Sequence, residues 1–232
     1  MPCRIALLMF PGVQALDLVG PHDVFAALPD TTLHRVAKST APLAAAHGLV
    51  MTPDTDFDAC PDVDVLCVPG GSGVDELLLD DATLAFVRRA AASARYLGSV
   101  CTGALVLGAA GLLRGRRATT HWASLPLLAA FGAMPVQERV VRDGRLVTGG
   151  GVTAGIDFAL TIARELHGEV VAQAAQLAIE YAPAPPFDAG CPATAPCAVV
   201  DAERARYAPI IAAREARVAQ AAARLAADHP AR

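Results

Sequence analysis

Lysine is almost absent: Lys38 is the single lysine among the 19 basic residues of this 232-residue chain. A P-loop, which grips phosphate with a lysine after a glycine-rich turn, is therefore excluded, and a Schiff-base lysine is confined to one residue in a polar stretch. Charge as a whole is sparse. Only 18% of residues are charged and the formal net charge is −4, with no arginine run dense enough to neutralise a phosphate backbone. Nucleic acid is not an expected partner. Cys3, Cys60, Cys67, Cys101, Cys191 and Cys197 form no CxxC pair and no Cys/His cluster of zinc spacing, so no metal and no disulfide staple is expected. No apolar run approaches the roughly 20 residues that span a bilayer, and the stretch from Met1 to Phe10 is too short for a secretory signal. The expectation is a soluble cytoplasmic protein without a membrane partner. What is abundant is apolar material, 54% of the chain, enough for a sizeable core.

Apolar runs of strand length recur at Arg4–Met9, Asp64–Val68, Tyr96–Val100 and Leu146–Thr148. The second and third are nearly all apolar, as strands covered on both faces must be. Helical spacing occupies Asp17–Leu28, Asp81–Ala94 and Thr153–Leu166. Strand, helix, strand in succession predicts an α/β fold with a mainly parallel sheet wound on both faces. Val136–Val141 and Arg145–Thr148, joined across Asp143-Gly144, predict an antiparallel hairpin at the sheet edge. Residues 182–198 carry Pro183, Pro185, Pro186, Pro192 and Pro196 and predict an irregular crossing. Beyond it, Ile210–Ala227 predicts an alanine-rich helix with Ile211, Arg214, Val218, Ala222 and Leu225 near one face. The reading is one domain over residues 1–232 with a C-terminal helical appendage.

Chemistry concentrates at Ser99-Val-Cys101-Thr-Gly103, where a buried strand ends at a cysteine and runs directly into an apolar helix. Small neighbours let the chain reverse sharply, which predicts a nucleophile elbow carrying sulfur. Amides and the positive dipole end at the helix start are expected to favour thiolate and lower the Cys101 pKa. Val68-Pro-Gly-Gly-Ser-Gly73 is a glycine turn at the carboxyl end of the preceding strand, and the Gly71 and Thr102 amides are candidates for stabilising negative charge beside the sulfur. It lacks the third glycine of a dinucleotide fingerprint, so no nucleotide cofactor is expected. A second run, Thr148-Gly-Gly-Gly-Val-Thr153, makes the backbone at Gly150 and Val152 another candidate edge of the same crevice. Asp17, just beyond the first strand, is the candidate acid or base; a carboxyl beside a thiolate tends to keep its proton. An N-terminal helix cap is the ordinary alternative for an aspartate in that position. His121, beside the only tryptophan, is an auxiliary candidate, slightly more in keeping with a packing residue.

Asp17-Leu-Val-Gly-Pro21, Pro69-Gly-Gly-Ser-Gly73, Ser99-Val-Cys-Thr-Gly103, Gly115-Arg-Arg-Ala-Thr-Thr-His-Trp122 and Thr148-Gly-Gly-Gly-Val-Thr-Ala-Gly-Ile-Asp157 together resemble the ThiJ/PfpI superfamily of class I glutamine-amidotransferase-like proteins. The likeness extends through Glu180-Tyr-Ala-Pro-Ala-Pro-Pro-Phe187 and the alanine-rich tail, and is nearest to the isocyanide-hydrating members. It implies a flavodoxin-like three-layer sandwich, usually a homodimer, with Cys101 as nucleophile, Asp17 as acid/base and Thr102 beside them. The implied reaction adds water to an isocyanide, giving an N-substituted formamide, without a cofactor. Proteolytic members carry histidine directly after the nucleophile, where this chain has Thr102. Glyoxalase or deglycase members use glutamate where Asp17 stands. AraC-type regulators bear a similar domain but continue into a helix-turn-helix region; this chain stops at Arg232 without a basic recognition helix, so a sensor that does not bind DNA is the alternative from a different class.

Overall fold

The structure, a computed structural model, describes residues 2–228; Met1 and residues 229–232, His229 among them, lie outside the described residues. One sheet contains β1 (Cys3–Leu8), β2 (Thr31–Ala37), β3 (Thr55–Asp56), β4 (Val65–Val68), β5 (Tyr96–Val100), β6 (Val140–Asp143) and β7 (Leu146–Gly149). Their spatial order is β6-β7-β5-β4-β1-β2-β3. Every neighbouring pair is parallel except β6 with β7. β4 is buried along its whole length, as its Val-Leu-Cys-Val sequence requires of a strand covered on both faces.

The helices are α1 (Ala15–Ala26), α2 (Val74–Leu77), α3 (Asp81–Ser93), α4 (Gly103–Ala109), α5 (Ala154–His167), α6 (Glu169–Ala178) and α7 (Cys197–Asp228). The connection from β1 through α1 steps to β2 on one side, and that from β4 through α3 steps to β5 on the other. Right-handed crossovers in opposite directions put the two sets of helices on opposite faces. On one face Phe25 of α1 meets Phe158 of α5 edge-on, with centroids 6.4 Å apart. On the other, Phe86 of α3 stacks on Phe57 at 4.5 Å. This is the flavodoxin-like sandwich that the resemblance implies. Its strand order reverses between β1 and β4, so the loops leaving their carboxyl ends border the crevice where such sheets bind ligands.

Several boundaries differ from expectation for physical reasons. α1 begins at Ala15 and ends at Ala26, two residues ahead of the predicted span at each end. The hairpin's first strand starts at Val140 because the Val136 amide is already donated to the Ala118 carbonyl, at 2.9 Å, extending a separate two-strand ladder of residues 117–118 and 134–135. β2 was not predicted: its Thr-Thr-Leu-His-Arg-Val-Ala sequence is mostly polar, and only Val36 and Ala37 are buried. α6 was also not predicted. α7 starts at Cys197, thirteen residues ahead of the predicted Ile210, and carries Pro209 within it, although an interior proline removes a helical hydrogen bond. Docking of α7 on the body buries Arg214, Val218 and Ala221.

Candidate active site

Between the end of β5 at Val100 and the start of α4 at Gly103 only Cys101 and Thr102 are left to turn the chain. The turn is made by Cys101 at φ 53°, a left-handed conformation that costs a residue with a Cβ about 1–2 kcal/mol. Its surroundings hold it there. The Cys101 amide is shared between the carbonyls of Gly149 and Gly150, at 3.1 and 2.8 Å. Its own carbonyl accepts from the Thr120 hydroxyl at 2.6 Å. A Cβ on Gly103 would lie 2.0 Å from the Val68 carbonyl oxygen, so only glycine lets α4 start this close to β4.

Asp17 lies in the first turn of α1, completely buried, and it does not cap that helix; Gln14 occupies the cap position. Its Oδ2 accepts from the Gly70 amide at 2.9 Å, while Oδ1 has no hydrogen-bond partner. Gly70 is hemmed in on the other side as well: a Cβ there would sit 2.6 Å from both the amide nitrogen and Oγ1 of Thr102, and 2.9 Å from Asp17 Oδ2. The Gly70–Gly71 turn thus locks α1 to the elbow, and the Gly71 amide donates to Thr102 Oγ1 at 3.1 Å.

Burial pushes the Asp17 carboxyl up to about 7, against the lowering effects of the Gly70 amide and the neighbouring Cys101 thiol. Burial also pushes the Cys101 thiol upward, reinforced by the Asp17 charge, while the Thr102 amide acts in the opposite direction. This corrects the expectation of a low thiol pKa. The helix start does supply an amide at the sulfur, but the side chain is only 6% exposed, and loss of hydration outweighs one amide and a short helix dipole. The two acids are adjacent as expected, and they share an environment that resists a second negative charge.

A model of the DJ-1/PfpI family matches residues 3–165. The chain belongs to the DJ-1/PfpI family. It is 59% identical over 225 residues to the isonitrile hydratase of Pseudomonas putida, spanning 97% of this chain and 99% of that one. A solved ThiJ/PfpI family protein from Pseudomonas syringae superposes with a TM-score of 0.91 at 44% identity, over 94% of this chain and 91% of that chain. The helix-turn-helix transcriptional regulator GbdR of Pseudomonas aeruginosa is 34% identical over 56% of this chain, which corresponds to 36% of the regulator.

Within this DJ-1/PfpI chain the predicted residues separate into groups. Cys101, Asp17, Thr102 and Gly71 converge at the switch point, but the Gly71 amide, expected to face the sulfur, is instead donated to Thr102 Oγ1. Gly150 reaches the elbow through its backbone: its carbonyl accepts from Cys101, and its amide is donated to Arg139 at 2.9 Å. Val152 is half-buried at the entry to α5, packed against the core. His121 packs elsewhere, its ring 5.3 Å from Tyr207 of α7 and 5.6 Å from Trp122. Its Nδ1 accepts from the Ala123 amide at 3.4 Å, and burial, then Arg214 and Arg206, lower its pKa to about 4. It is neutral near pH 7 and hydrogen-bonds neither Cys101 nor Asp17. Among the described residues no group of three His, Cys, Asp or Glu side chains converges as metal ligands would.

Gly70 and Thr120 contact Asp17 and Cys101 directly, and Arg214, expected only on one face of the C-terminal helix, contacts Asp75 and Ser124; none of the three was expected as a site residue from sequence. The signals were a glycine doublet and one arginine among apolar positions on the α7 face. For Thr120 the adjacent threonines carried no distinguishing pattern.

Proposed function

We propose that this protein is an isonitrile hydratase, adding water to an isocyanide R–NC to give the formamide R–NH–CHO. The observation that carries the reading is the 59% identity, end to end, with the enzyme of that name. The Cys101–Asp17 pair is chemically suited to it. A proton passed from the thiol to the carboxylate creates a thiolate without bringing net charge into the buried site, which is far cheaper than ionising the thiol to solvent. With Asp17 protonated, the charge that opposes the thiolate is gone and the carboxyl becomes a donor.

The sulfur then bonds to the terminal isocyanide carbon while Asp17 delivers its proton to that carbon, leaving the covalent thioimidate R–N=CH–S–Cys101. Asp17, now a carboxylate, takes a proton from water as the water oxygen adds to carbon, and returns a proton to nitrogen. The tetrahedral species R–NH–CH(OH)–S–Cys101 expels the thiolate, and its hydroxyl proton returns to Asp17. The thiolate leaves into the Thr102 amide, which supports both the attacking and departing sulfur. As the family resemblance implies, the active particle is a homodimer, which sedimentation would register as twice the chain mass.

The test is to incubate the purified protein with a simple aryl isocyanide, with methylglyoxal in parallel, and to follow the formamide by absorbance. Turnover of isocyanide alone is expected; turnover of methylglyoxal alone would move the protein to the glyoxalase or deglycase class. The Cys101→Ala variant is expected to lose all measurable turnover, and wild-type rates in that variant would remove the covalent scheme. A ligand sensor is the second reading, favoured by the partial match to GbdR; isocyanide binding without any formamide would support it.

A further inference from the structure

We infer that Arg214 is a positioning residue for Cys101: a buried guanidinium on α7 that braces both loops flanking the elbow. The inference rests on the reading of Cys101 as the nucleophile. Arg214 is 6% exposed on a helix that otherwise buries Val218 and Ala221 here. Its Nε donates to Asp75 Oδ1 at 2.6 Å and its Nη1 to Ser124 Oγ at 3.1 Å.

Each partner leads back to the elbow. Asp75 is in α2, which follows directly from the Pro69–Gly73 turn, and Gly70 and Gly71 in that turn engage Asp17 and Thr102. Ser124 is fully buried, and its amide donates to the His121 carbonyl at 2.8 Å. The residue before His121, Thr120, donates to the Cys101 carbonyl. Arg214 therefore closes a circuit of contacts around Cys101 from a helix far away in sequence.

The two ends of this ion pair are unequally buried. The Asp75 side chain is 23% exposed against 7% for Arg214, so water screens the carboxylate more than the guanidinium. The charged and titratable groups that share this environment are Asp17 from α1, Cys67 from β4, Asp75 from α2, His121 and, acting on His121, Arg206 from α7. Of these only Arg206 is positive near pH 7, and between it and Arg214 only Arg214 acts on Cys101, lowering its pKa against the dominant effect of burial.

The experiment is the pH dependence of Cys101 alkylation by iodoacetamide, followed by mass spectrometry of the Cys101 peptide, in wild type, Arg214→Met, Arg214→Lys, Asp75→Asn and Asp75→Asn/Arg214→Met. The double variant leaves no unpaired buried charge and supplies the comparison if Arg214→Met alone does not fold. The Arg214→Met profile is expected to move up by about one pH unit relative to wild type, and the double variant by a similar amount relative to Asp75→Asn, a roughly tenfold slower alkylation near pH 7. Arg214→Lys should recover most of that shift. With isocyanide, kcat should fall about tenfold in Arg214→Met while KM changes less than twofold. A purely structural arginine would lower the melting temperature and leave the alkylation profiles superimposed, which would overturn the inference. Alkylation is read without isocyanide, so a shift in a protein that hydrates no isocyanide would refute the proposed function and leave the role of Arg214 standing.

Discussion

Asp17 concentrates the electrostatic cost of this site in one side chain. In the folded chain burial removes its hydration and pushes its pKa from the ordinary 3.8 up to about 7. The folded chain therefore keeps a proton that the unfolded chain has already released. Stability contributed by that proton is complete below about pH 3.8 and is lost as pH rises through about 7. Asp17→Asn removes the dependence while keeping an acceptor for the Gly70 amide. We expect the variant to gain on wild type between pH 4 and pH 8 by on the order of 1–3 kcal/mol, measured by urea unfolding at a series of pH values. The same substitution should cut kcat by roughly 10²-fold, since the proton donor is gone. Parallel stability curves for the two proteins would mean that the carboxyl is not held neutral by its surroundings.

At the scale of elements, the site is a junction where three turns touch, and its tolerances are set by backbone rather than by side chains. Gly70 is wedged between Thr102 and Asp17 with no room for a methyl group. Gly70→Ala should lower stability by about 1–3 kcal/mol through overpacking. It should also lower kcat/KM by at least tenfold, because separating the turn from the elbow pulls Asp17 away from the sulfur; calorimetry and steady-state rates would check the two effects, and an unaffected kcat/KM would show that the turn is not what positions the pair. The turn itself was legible as Pro69-Gly-Gly-Ser-Gly73, and so was the elbow as Ser99-Val-Cys-Thr-Gly103, because small residues in a short run between apolar strands are a local signal. β2 and α6 were not legible. β2 is polar along most of its length and is a strand because β1 offers it a parallel edge. The helix predicted over Ile210–Ala227 begins at Cys197 instead and continues through Pro209.

For the whole molecule, the absence of a basic face predicts behaviour as directly as any motif. With a net charge of −4 and a pI near 5.8, the chain releases few counterions on meeting a polyanion. It should show no retained complex with duplex DNA in a gel-shift assay at about 150 mM salt, where the electrostatic contribution to non-specific binding is already weak. A salt-sensitive complex would point instead to a local arginine surface outweighing the total. Among the described residues no helix is long and apolar enough to cross a membrane.

Periodicity, turn chemistry and a few short motifs were enough to determine the winding of the sheet, the place of the elbow and the pairing of Cys101 with Asp17, because each depends on residues adjacent in the chain or on the rule that loops gather at the carboxyl ends of parallel strands. The protonation of that pair was a tertiary decision. A helix start favours thiolate, but whether the favour survives depends on how much water the packed chain leaves, and here it leaves almost none around either group. Arg214 was decided at the same level: in the sequence it is one arginine in an alanine-rich helix, and only the docking of that helix buries it against Asp75 and Ser124.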